Sequence, residues 1–317
     1  LHRRWLFALK PGSWPKLLVA ALLGQGIGVA GAGRIDWLAL ALGLAFTVLL
    51  LTFVVLVNDW GDQDVDAIKR RLYPDDLPVN GPVNGPDHGP GDGPAACSPK
   101  TIPDDVLDER SVLLGGVGAG LLALAVAGVA ELVLPRPGLL GGAALCLGLL
   151  VLYTLPPVRL NYRGGGEVLE MLGVGFFLPW WSGYLQMGNP MPGGLVVLPA
   201  FALLSLASAL ASGLADEESD RLGGKHTFTT SFGPLAVCQA AEGLVVGAMI
   251  VWAALPWLAP GLAPLWMVLP VVVVMVVDYR ELLVDGRADL ARLRDSMYRR
   301  YKQLLHQCIW RAGVMMA

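Results

Sequence analysis

Long apolar runs, separated by shorter polar connections, form the dominant pattern of the chain. A helix that crosses the hydrocarbon core of a membrane needs about 20 mostly apolar residues. Eight runs approach that length, at residues 15–33, 37–57, 111–133, 139–156, 168–187, 195–215, 235–257 and 262–278. A ninth run, at about 303–317, is shorter and contains Arg311. The pattern predicts an all-α, polytopic membrane bundle of eight to nine transmembrane helices.

The composition supports a membrane protein and excludes several other classes. Of the 317 residues, 55% are hydrophobic and 15% are charged, whereas about 25% are charged in a soluble globular protein. A disordered protein, a coiled coil and an ordinary cytosolic enzyme are therefore excluded. The net charge of −3 argues against a nucleic-acid partner, which needs a basic surface. The four cysteines stand singly, so neither a disulfide framework nor a zinc site is predicted.

Lysine and arginine are concentrated in alternate connections between the apolar runs. Twenty of the 23 lie in the N-terminal segment or after the second, fourth, sixth and eighth runs. Basic residues mark the cytoplasmic loops of membrane proteins. We therefore expect an integral protein of the cytoplasmic membrane whose N-terminus is cytoplasmic. The polar clusters that carry candidate chemistry lie in these same connections, so we expect them on the cytoplasmic side as well.

An acidic cluster, NDWGDQDVD, stands at the cytoplasmic end of the second run. On a continuous helix Asp59, Asp62 and Asp66 fall within about 60° of one another, with Asn58 beyond one edge of the stripe. Adjacent carboxylates repel each other and are costly beside hydrocarbon. A divalent cation with a preference for hard oxygen ligands, such as Mg²⁺, removes that cost. A solvated acidic loop is the alternative interpretation of this cluster.

A second acidic cluster, ADEESDRLGGKHT, ends the sixth run on the same side of the membrane. Asp216 and Asp220 lie four positions apart and could form a second metal-binding pair. Two opposed acidic groups can hold Mg²⁺ ions with a diphosphate between them. Arg221 and Lys225 would then neutralise phosphate oxygens.

The cytoplasmic connection after the fourth run, YTLPPVRLNYRGGGE, supplies further candidates. Arg159 and Arg163 could reach a phosphate or an acceptor oxygen. For Arg163 a simple role as a basic cytoplasmic anchor is an equal alternative. The glycine run is a flexible turn rather than a nucleotide-binding loop, because no strand–helix context surrounds it.

The segment between the second and third runs is rich in proline and glycine and contains PVNGPVNGPDHGPGDGP. Such a tract cannot form a helix or a packed core. We expect one transmembrane domain, residues 1–317, with a disordered cytoplasmic insertion at about 73–103. A lid over a cytoplasmic cavity is the alternative for this insertion.

Together these motifs resemble the UbiA superfamily of intramembrane prenyltransferases. The NDxxDxxxD and DxxxD–GKxT signatures and the YxxPPxR loop of that family correspond to Asn58, Asp59, Asp62, Asp66, Asp216, Asp220, Gly224, Lys225, Thr227, Tyr153, Pro156, Pro157 and Arg159. The resemblance implies nine helices around a central cavity that opens to the cytoplasm and laterally to lipid. It also implies Mg²⁺-dependent transfer of an isoprenyl chain from a polyprenyl diphosphate, with release of pyrophosphate.

The resemblance also implies roles for these residues. The five aspartates hold Mg²⁺ and are the catalytic groups, and the basic side chains bind the diphosphate. Asn58 and Tyr153 are candidates to position a small aromatic acceptor. YRGGGE and YLQMG are similar to the menaquinone branch, which prenylates 1,4-dihydroxy-2-naphthoate, and we expect a quinone-precursor acceptor.

Other functions stay open at this point. NDWGDQDVDAI is more similar to the chlorophyll-synthase and geranylgeranylglycerol-phosphate branches, so a chlorophyllide, a glycerol-phosphate lipid or a carotenoid is an alternative acceptor. Terpene cyclisation is another alternative. A secondary transporter belongs to a different class, and it usually places its carboxylates near the bilayer midplane. Here the acidic clusters stand at helix ends on one side.

Overall fold

The computed structural model describes residues 2–72, 101–189, 194–287 and 299–317, so most of the predicted insertion lies outside the described residues. The described helices are α1 (His2–Ala8), α2 (Pro15–Ala32), α3 (Trp37–Gly61), α4 (Gln63–Leu72), α5 (Glu109–Val133), α6 (Leu139–Thr154), α7 (Gly166–Glu170), α8 (Leu178–Met187), α9 (Gly194–Ser212), α10 (Glu217–Leu222), α11 (Phe228–Phe232), α12 (Pro234–Leu258), α13 (Leu265–Glu281) and α14 (Arg299–Met316). A π-helical segment, Met171–Phe177, joins α7 to α8, and another, Leu282–Gly286, follows α13.

The eight long apolar runs all coincide with helical segments, so the all-α prediction is confirmed. Within the described part of the chain, five helical segments are long and apolar enough to cross a membrane. They are α2, α3, α5, α9 with its continuation to Ala215, and α12, while α6 is apolar but shorter. The chain is an integral membrane protein built as an all-α helical bundle.

Close helix packing depends on small residues, as is usual where helices associate in lipid. The clearest case is the contact between α2 and α8. A Cβ atom added at Gly24 would lie 2.0 Å from the backbone oxygen of Pro179. In the next layer Phe46 of α3 packs on Trp181 of α8, with ring centroids 4.3 Å apart. The absence of a side chain at Gly24 is therefore what allows the two backbones to approach.

The C-terminal helix α14 closes the bundle by packing against α2, α9 and α13. The sequence pattern predicts a ninth, shorter apolar run that starts near residue 303 and contains Arg311. The helix begins at Arg299, and Arg311 Nη1 donates to Asp278 Oδ1 of α13 at 2.7 Å. The opposite charge of Asp278 compensates the arginine, which explains why this charged position is compatible with packing in the bundle.

Polar and aromatic residues distinguish the two ends of the bundle. Trp37 begins α3, Trp257 lies near the end of α12, and Trp266 lies near the start of α13. All three side chains are exposed, and all three lie at the opposite helix ends from the acidic motifs. Tryptophan is enriched at the interface between membrane and water. The three tryptophans therefore mark one membrane interface, at the end of the bundle away from the acidic motifs.

Candidate active site

Both acidic motifs lie at helix breaks, which corrects the prediction of one continuous carboxylate stripe on the second long helix. Helix α3 ends at Gly61, Asp62 has φ −101° and ψ 6°, and α4 begins at the next residue. Asp216 has nearly the same backbone, φ −117° and ψ 3°, between the end of α9 and the start of α10. The short helices that follow the two breaks, α4 and α10, pack against each other.

Gly61, Arg159 and Tyr162 hold the first break in place. A Cβ atom at Gly61 would lie 2.4 Å from the Thr154 methyl group, so only glycine fits between α3 and α6. The freed carbonyl of Gly61 accepts a hydrogen bond from Arg159 Nη2. The guanidinium carbon of Arg159 lies 3.8 Å from the Tyr162 ring centroid, and the Tyr162 hydroxyl donates to Asp62 Oδ1 at 3.0 Å. Arg159 therefore stabilises the backbone of the first motif.

The two motifs meet around a polar cavity of about 120 Å³, because α4 packs against α10. The described residues that line it are Lys10, Asn58, Asp59, Asp62, Val65, Asp66, Asp216, Ser219, Asp220 and Lys225. The five predicted aspartates, Asn58 and Lys225 are thus brought together from two segments, residues 58–66 and 216–225, that are distant in the sequence.

Three lysines pair with the carboxylates of this cavity. Lys10 forms an ion pair with Asp59, and Lys69 forms one with Asp216. Lys225 Nζ donates to Asp62 Oδ2 at 2.9 Å and lies 3.8 Å from an oxygen of Asp220.

Among the described residues no three His, Cys, Asp or Glu side chains converge closely enough to form a metal site on their own. A complete protein cage is not what Mg²⁺ requires, because it usually binds one or two carboxylates together with waters and substrate phosphates. The hard oxygen donors on both sides of the cavity fit that mode of binding. The neighbouring lysines are positioned to bind the phosphate oxygens of such a ligand.

Burial and charge shift the pKa of groups around the cavity. Burial, together with the neighbouring charges of Asp216 and Asp62, raises the pKa of Asp220 to about 7. For Lys225 burial disfavours the charged form, but Asp62 and Asp220 outweigh it and raise the pKa of the ammonium. Burial and the charge of Asp62 also raise the pKa of Tyr162. Lys225 therefore stays charged near neutral pH, whereas Asp220 can exchange a proton there.

A second, largely apolar cavity of about 260 Å³ adjoins the polar one. Lys10, Asn58 and Asp59 line both cavities. Its apolar walls come from α2, α3, α6, α7 and the following π-helical segment: Leu17, Leu51, Phe53, Val54, Val55, Val57, Leu149, Leu150, Leu169 and Val174. Tyr153 also lines the apolar cavity. Asn58, which lines both cavities, accepts a hydrogen bond from the Thr154 hydroxyl at 3.3 Å. The arrangement suits an amphiphile with an anionic head and an apolar tail.

Three predicted binding residues line neither cavity: Arg159, which contacts the Gly61 carbonyl, Arg221 and Arg163. Arg221 is 64% exposed and pairs with Glu217 at 3.4 Å on the outer face of α10. Arg163 is exposed, and its backbone pairs with that of His226 in an isolated parallel β-bridge. For Arg163 this position favours the alternative of a basic surface anchor.

Several residues that shape the site were missed by the sequence reasoning. In the sequence Lys10 and Lys69 indicate only a cytoplasmic segment, and nothing predicts that they pair with Asp59 and Asp216. The hydroxyl of Thr101 donates to Asp59 Oδ2 at 2.5 Å, but nothing in the sequence marks it as a partner of Asp59. For Tyr162 the sequence does contain a signal. It stands three positions after Arg159, and an arginine over an aromatic ring is a favourable pairing.

Comparison with known proteins decides the family. The sequence profile of the UbiA prenyltransferase family matches residues 17–301. The chain belongs to that family. The resemblance to the UbiA superfamily that the motifs predict is therefore confirmed. The family assignment gives no support to the transporter alternative.

Individual relatives are distant. A 1,4-dihydroxy-2-naphthoate octaprenyltransferase of Mycobacterium leprae (strain TN) is 26% identical over 263 residues, which cover 82% of this chain and 81% of that protein. The chloroplastic chlorophyll synthase of Avena sativa is 26% identical over 255 residues, 76% of this chain but only 56% of that protein. The chain thus spans little more than half the length of that plant enzyme.

Solved structures with the same fold come from archaea. A UbiA homolog from Archaeoglobus fulgidus bound to DMAPP and Mg²⁺ superposes with a TM-score of 0.64 at 17% identity, covering 99% of both chains. The apo structure of a UbiA homolog from Aeropyrum pernix K1 gives a TM-score of 0.62 at 15% identity, covering 98% of this chain and 96% of that one. At these identities the likeness shows the fold.

Proposed function

We propose that this protein transfers an isoprenyl chain from a polyprenyl diphosphate to a small aromatic, quinone-precursor acceptor within the membrane. The transfer depends on Mg²⁺ and releases pyrophosphate. The observation that carries the proposal is the junction of the two cavities. A chamber lined by both acidic motifs adjoins an apolar cavity, and Lys10, Asn58 and Asp59 line both.

The polar chamber receives the diphosphate of the donor. Asp59, Asp62, Asp66, Asp216 and Asp220 are the residues that would hold Mg²⁺, and the A. fulgidus homolog with DMAPP and Mg²⁺ supports that choice of metal. When bound, the metal supplies positive charge that stabilises the departing pyrophosphate. Lys10, Lys69 and Lys225 donate to phosphate oxygens in place of the carboxylates that they now contact.

The apolar cavity receives the isoprenyl chain next to the diphosphate. Cleavage of the bond between C1 and oxygen leaves an allylic cation, which water would trap. Aliphatic walls such as Leu51, Leu150 and Val174 exclude water from this carbon. Asn58 and Tyr153 line the same space and position the acceptor ring. The ring carbon forms the new bond to C1 and then gives its proton to one of the carboxylates or to the released pyrophosphate.

A small ring suits the cavity better than a macrocycle. Its volume of about 260 Å³ lies just below the range of about 300–1,000 Å³ that is typical of ligand pockets. A bicyclic hydroxy-aromatic acid is much smaller than a tetrapyrrole. The M. leprae relative, a 1,4-dihydroxy-2-naphthoate octaprenyltransferase, is also matched over more of its length than the chlorophyll synthases are.

The proposal includes a topology. Nine membrane-crossing segments form one domain around the cavities, with the N-terminus and both acidic motifs on the cytoplasmic face of the cytoplasmic membrane. The clustering of basic residues on that side supports it. The position of Arg311 beside Asp278 supports α14 as the ninth segment.

Purified protein in lipid tests the function. It is given geranylgeranyl diphosphate, Mg²⁺ and one acceptor at a time: dihydroxynaphthoate, 4-hydroxybenzoate, homogentisate, a chlorophyllide, or none. We expect Mg²⁺-dependent pyrophosphate release and a prenylated product with dihydroxynaphthoate. Product from chlorophyllide alone would overturn the quinone-precursor acceptor, and release without any acceptor would indicate a cyclase.

A further inference from the structure

A second pair of charged side chains lies in the apolar cavity, apart from the acidic motifs. Lys16, at the start of α2, forms an ion pair with Glu170, at the end of α7. Both line the apolar cavity, and their side chains are only 22% and 16% exposed. Among the described residues neither one lines the polar chamber. The donor diphosphate therefore does not account for them.

The pair continues a row of polar groups along one wall. Lys10, Ser13 and Lys16 are spaced by three residues through a turn of 3₁₀-helix and the first turn of α2, and all three line the cavity. The row leads from Asp59, which pairs with Lys10, to Glu170, which pairs with Lys16. The surroundings of the second pair include Leu17, Leu169 and Val174. Polar groups thus continue from the acidic end of the cavity to a second charged pair.

The chemistry of the pair restricts what can bind beside it. A neutral ligand that separated Lys16 from Glu170 would leave two poorly solvated charges without partners, which is strongly unfavourable. A ligand with an anionic group and a hydroxyl group replaces both interactions. The anion accepts from the Lys16 ammonium, and the hydroxyl donates to the Glu170 carboxylate.

Building on the proposed function, we propose that Lys16 and Glu170 recognise the acceptor and select a hydroxy-aromatic carboxylate. Lys16 binds the carboxylate of the acceptor, and Glu170 binds a ring hydroxyl. The ring then lies between this pair and the polar chamber, where C1 of the donor is released. Lys16 and Glu170 are positioning residues in this scheme, and the aspartates carry the chemistry.

A binding experiment tests this without requiring turnover. The fluorescent probes 1-hydroxy-2-naphthoate and 1-naphthol share the ring and the hydroxyl and differ only in the carboxylate. Their binding to the full protein in nanodiscs is measured by fluorescence, with empty nanodiscs subtracted. The wild type should bind the carboxylate probe more tightly. Lys16→Met should weaken that binding about 10- to 100-fold, the range for a charge-assisted hydrogen bond, and leave 1-naphthol unchanged.

Further variants separate recognition from a structural role. Glu170→Gln should weaken both probes, whereas Lys16→Arg keeps the charge and should keep the selectivity. The exchanged double variant, Lys16→Glu with Glu170→Lys, restores an ion pair between α2 and α7 but should not restore binding of 1-hydroxy-2-naphthoate. Restoration by the exchange would show that the pair is a structural clamp and would overturn the inference.

The wild type alone also decides the question if a variant fails to fold. Equal affinity of the wild type for the two probes would overturn the inference. Prenyl transfer is assayed separately on the same preparations. Probe binding that depends on Lys16, without transfer to any acceptor, would contradict the proposed function and leave the recognition pair intact. Prenyl transfer by a wild type that binds both probes equally would support the proposed function and contradict the recognition pair.

Discussion

Lys225 Nζ lies 2.9 Å from Asp62 Oδ2, and this contact joins the second acidic motif to the first across 163 positions of sequence. The same ammonium lies 3.8 Å from Asp220 Oδ1. Lys225 is buried, and so is Asp220. The lysine therefore sits between the carboxylates of the two motifs and compensates charge that would otherwise be costly to bury.

Replacing Lys225 should have opposite effects on the two ligands of the chamber. Lys225→Met makes the chamber more negative, so the apparent affinity for Mg²⁺ should rise. It also removes a donor to the diphosphate, so the KM for geranylgeranyl diphosphate should rise about tenfold or more. Steady-state kinetics with Mg²⁺ and donor varied separately measure both effects. Arg221→Met is the control, because Arg221 faces outward. A lower Mg²⁺ affinity in Lys225→Met would contradict the assignment.

Arg159 should act through the backbone rather than through the phosphate. Arg159→Met removes the hydrogen bond to the Gly61 carbonyl and the stacking on Tyr162. An unsatisfied buried acceptor costs about 1–3 kcal/mol, so the midpoint of thermal unfolding and kcat should both fall. The KM for the donor should change little. Exposed Arg163, changed to Met, is the matched control. A raised donor KM with unchanged stability would show instead that Arg159 contacts the phosphate.

Metal binding should weaken below neutral pH. A ligating carboxylate must be deprotonated, and the pKa of Asp220 is raised to about 7. The apparent dissociation constant of the metal should be nearly constant above that pKa. It should increase up to tenfold per pH unit below it. Binding of Mn²⁺, followed by electron paramagnetic resonance without diphosphate, avoids the titration of the substrate itself. A constant affinity across this range would exclude Asp220 as a ligand.

The contact between α2 and α8 should be intolerant of a single methyl group. Gly24→Ala places a Cβ atom 2.0 Å from the Pro179 carbonyl oxygen, so the backbones must separate. Overpacking of this kind typically costs about 1–3 kcal/mol. The thermal midpoint in detergent should therefore fall. Gly118→Ala, with nothing within 4 Å of the added atom, should leave it unchanged. Equal midpoints would contradict the close packing.

The helices could be predicted from the sequence because a run of about 20 apolar residues has few alternatives to a helix in lipid. The meeting of the acidic motifs could also be predicted, because both end helices on the side marked by basic residues. The break at Asp62 could not be predicted, because the spacing of the aspartates also fits an unbroken helix. It depends on the approach of Thr154 to Gly61.

The lysines that pair with the carboxylates could not be predicted from the sequence either, because tertiary packing brings them together. Helix α1 packs beside Leu56 and Val112 through Ala8, and this contact brings Lys10 over Asp59. No local pattern encodes such an approach. Arg221 is the opposite case, because its position next to Asp220 predicts a binding role while its side chain is exposed and pairs with Glu217. Spacing identifies the element that carries a residue, and packing decides which way the side chain points.

The most direct test of the proposed chemistry removes one carboxylate from each motif. Pyrophosphate release from geranylgeranyl diphosphate, with Mg²⁺ and dihydroxynaphthoate, is compared among Asp59→Asn, Asp216→Asn and the matched control Asp64→Asn, whose side chain is exposed. All three should stay monodisperse in detergent. The first two should lose at least about 100-fold in turnover, as expected when charge stabilisation of a leaving group is lost, and the control should not. Turnover retained in either Asp59→Asn or Asp216→Asn would contradict a reaction that uses both acidic motifs.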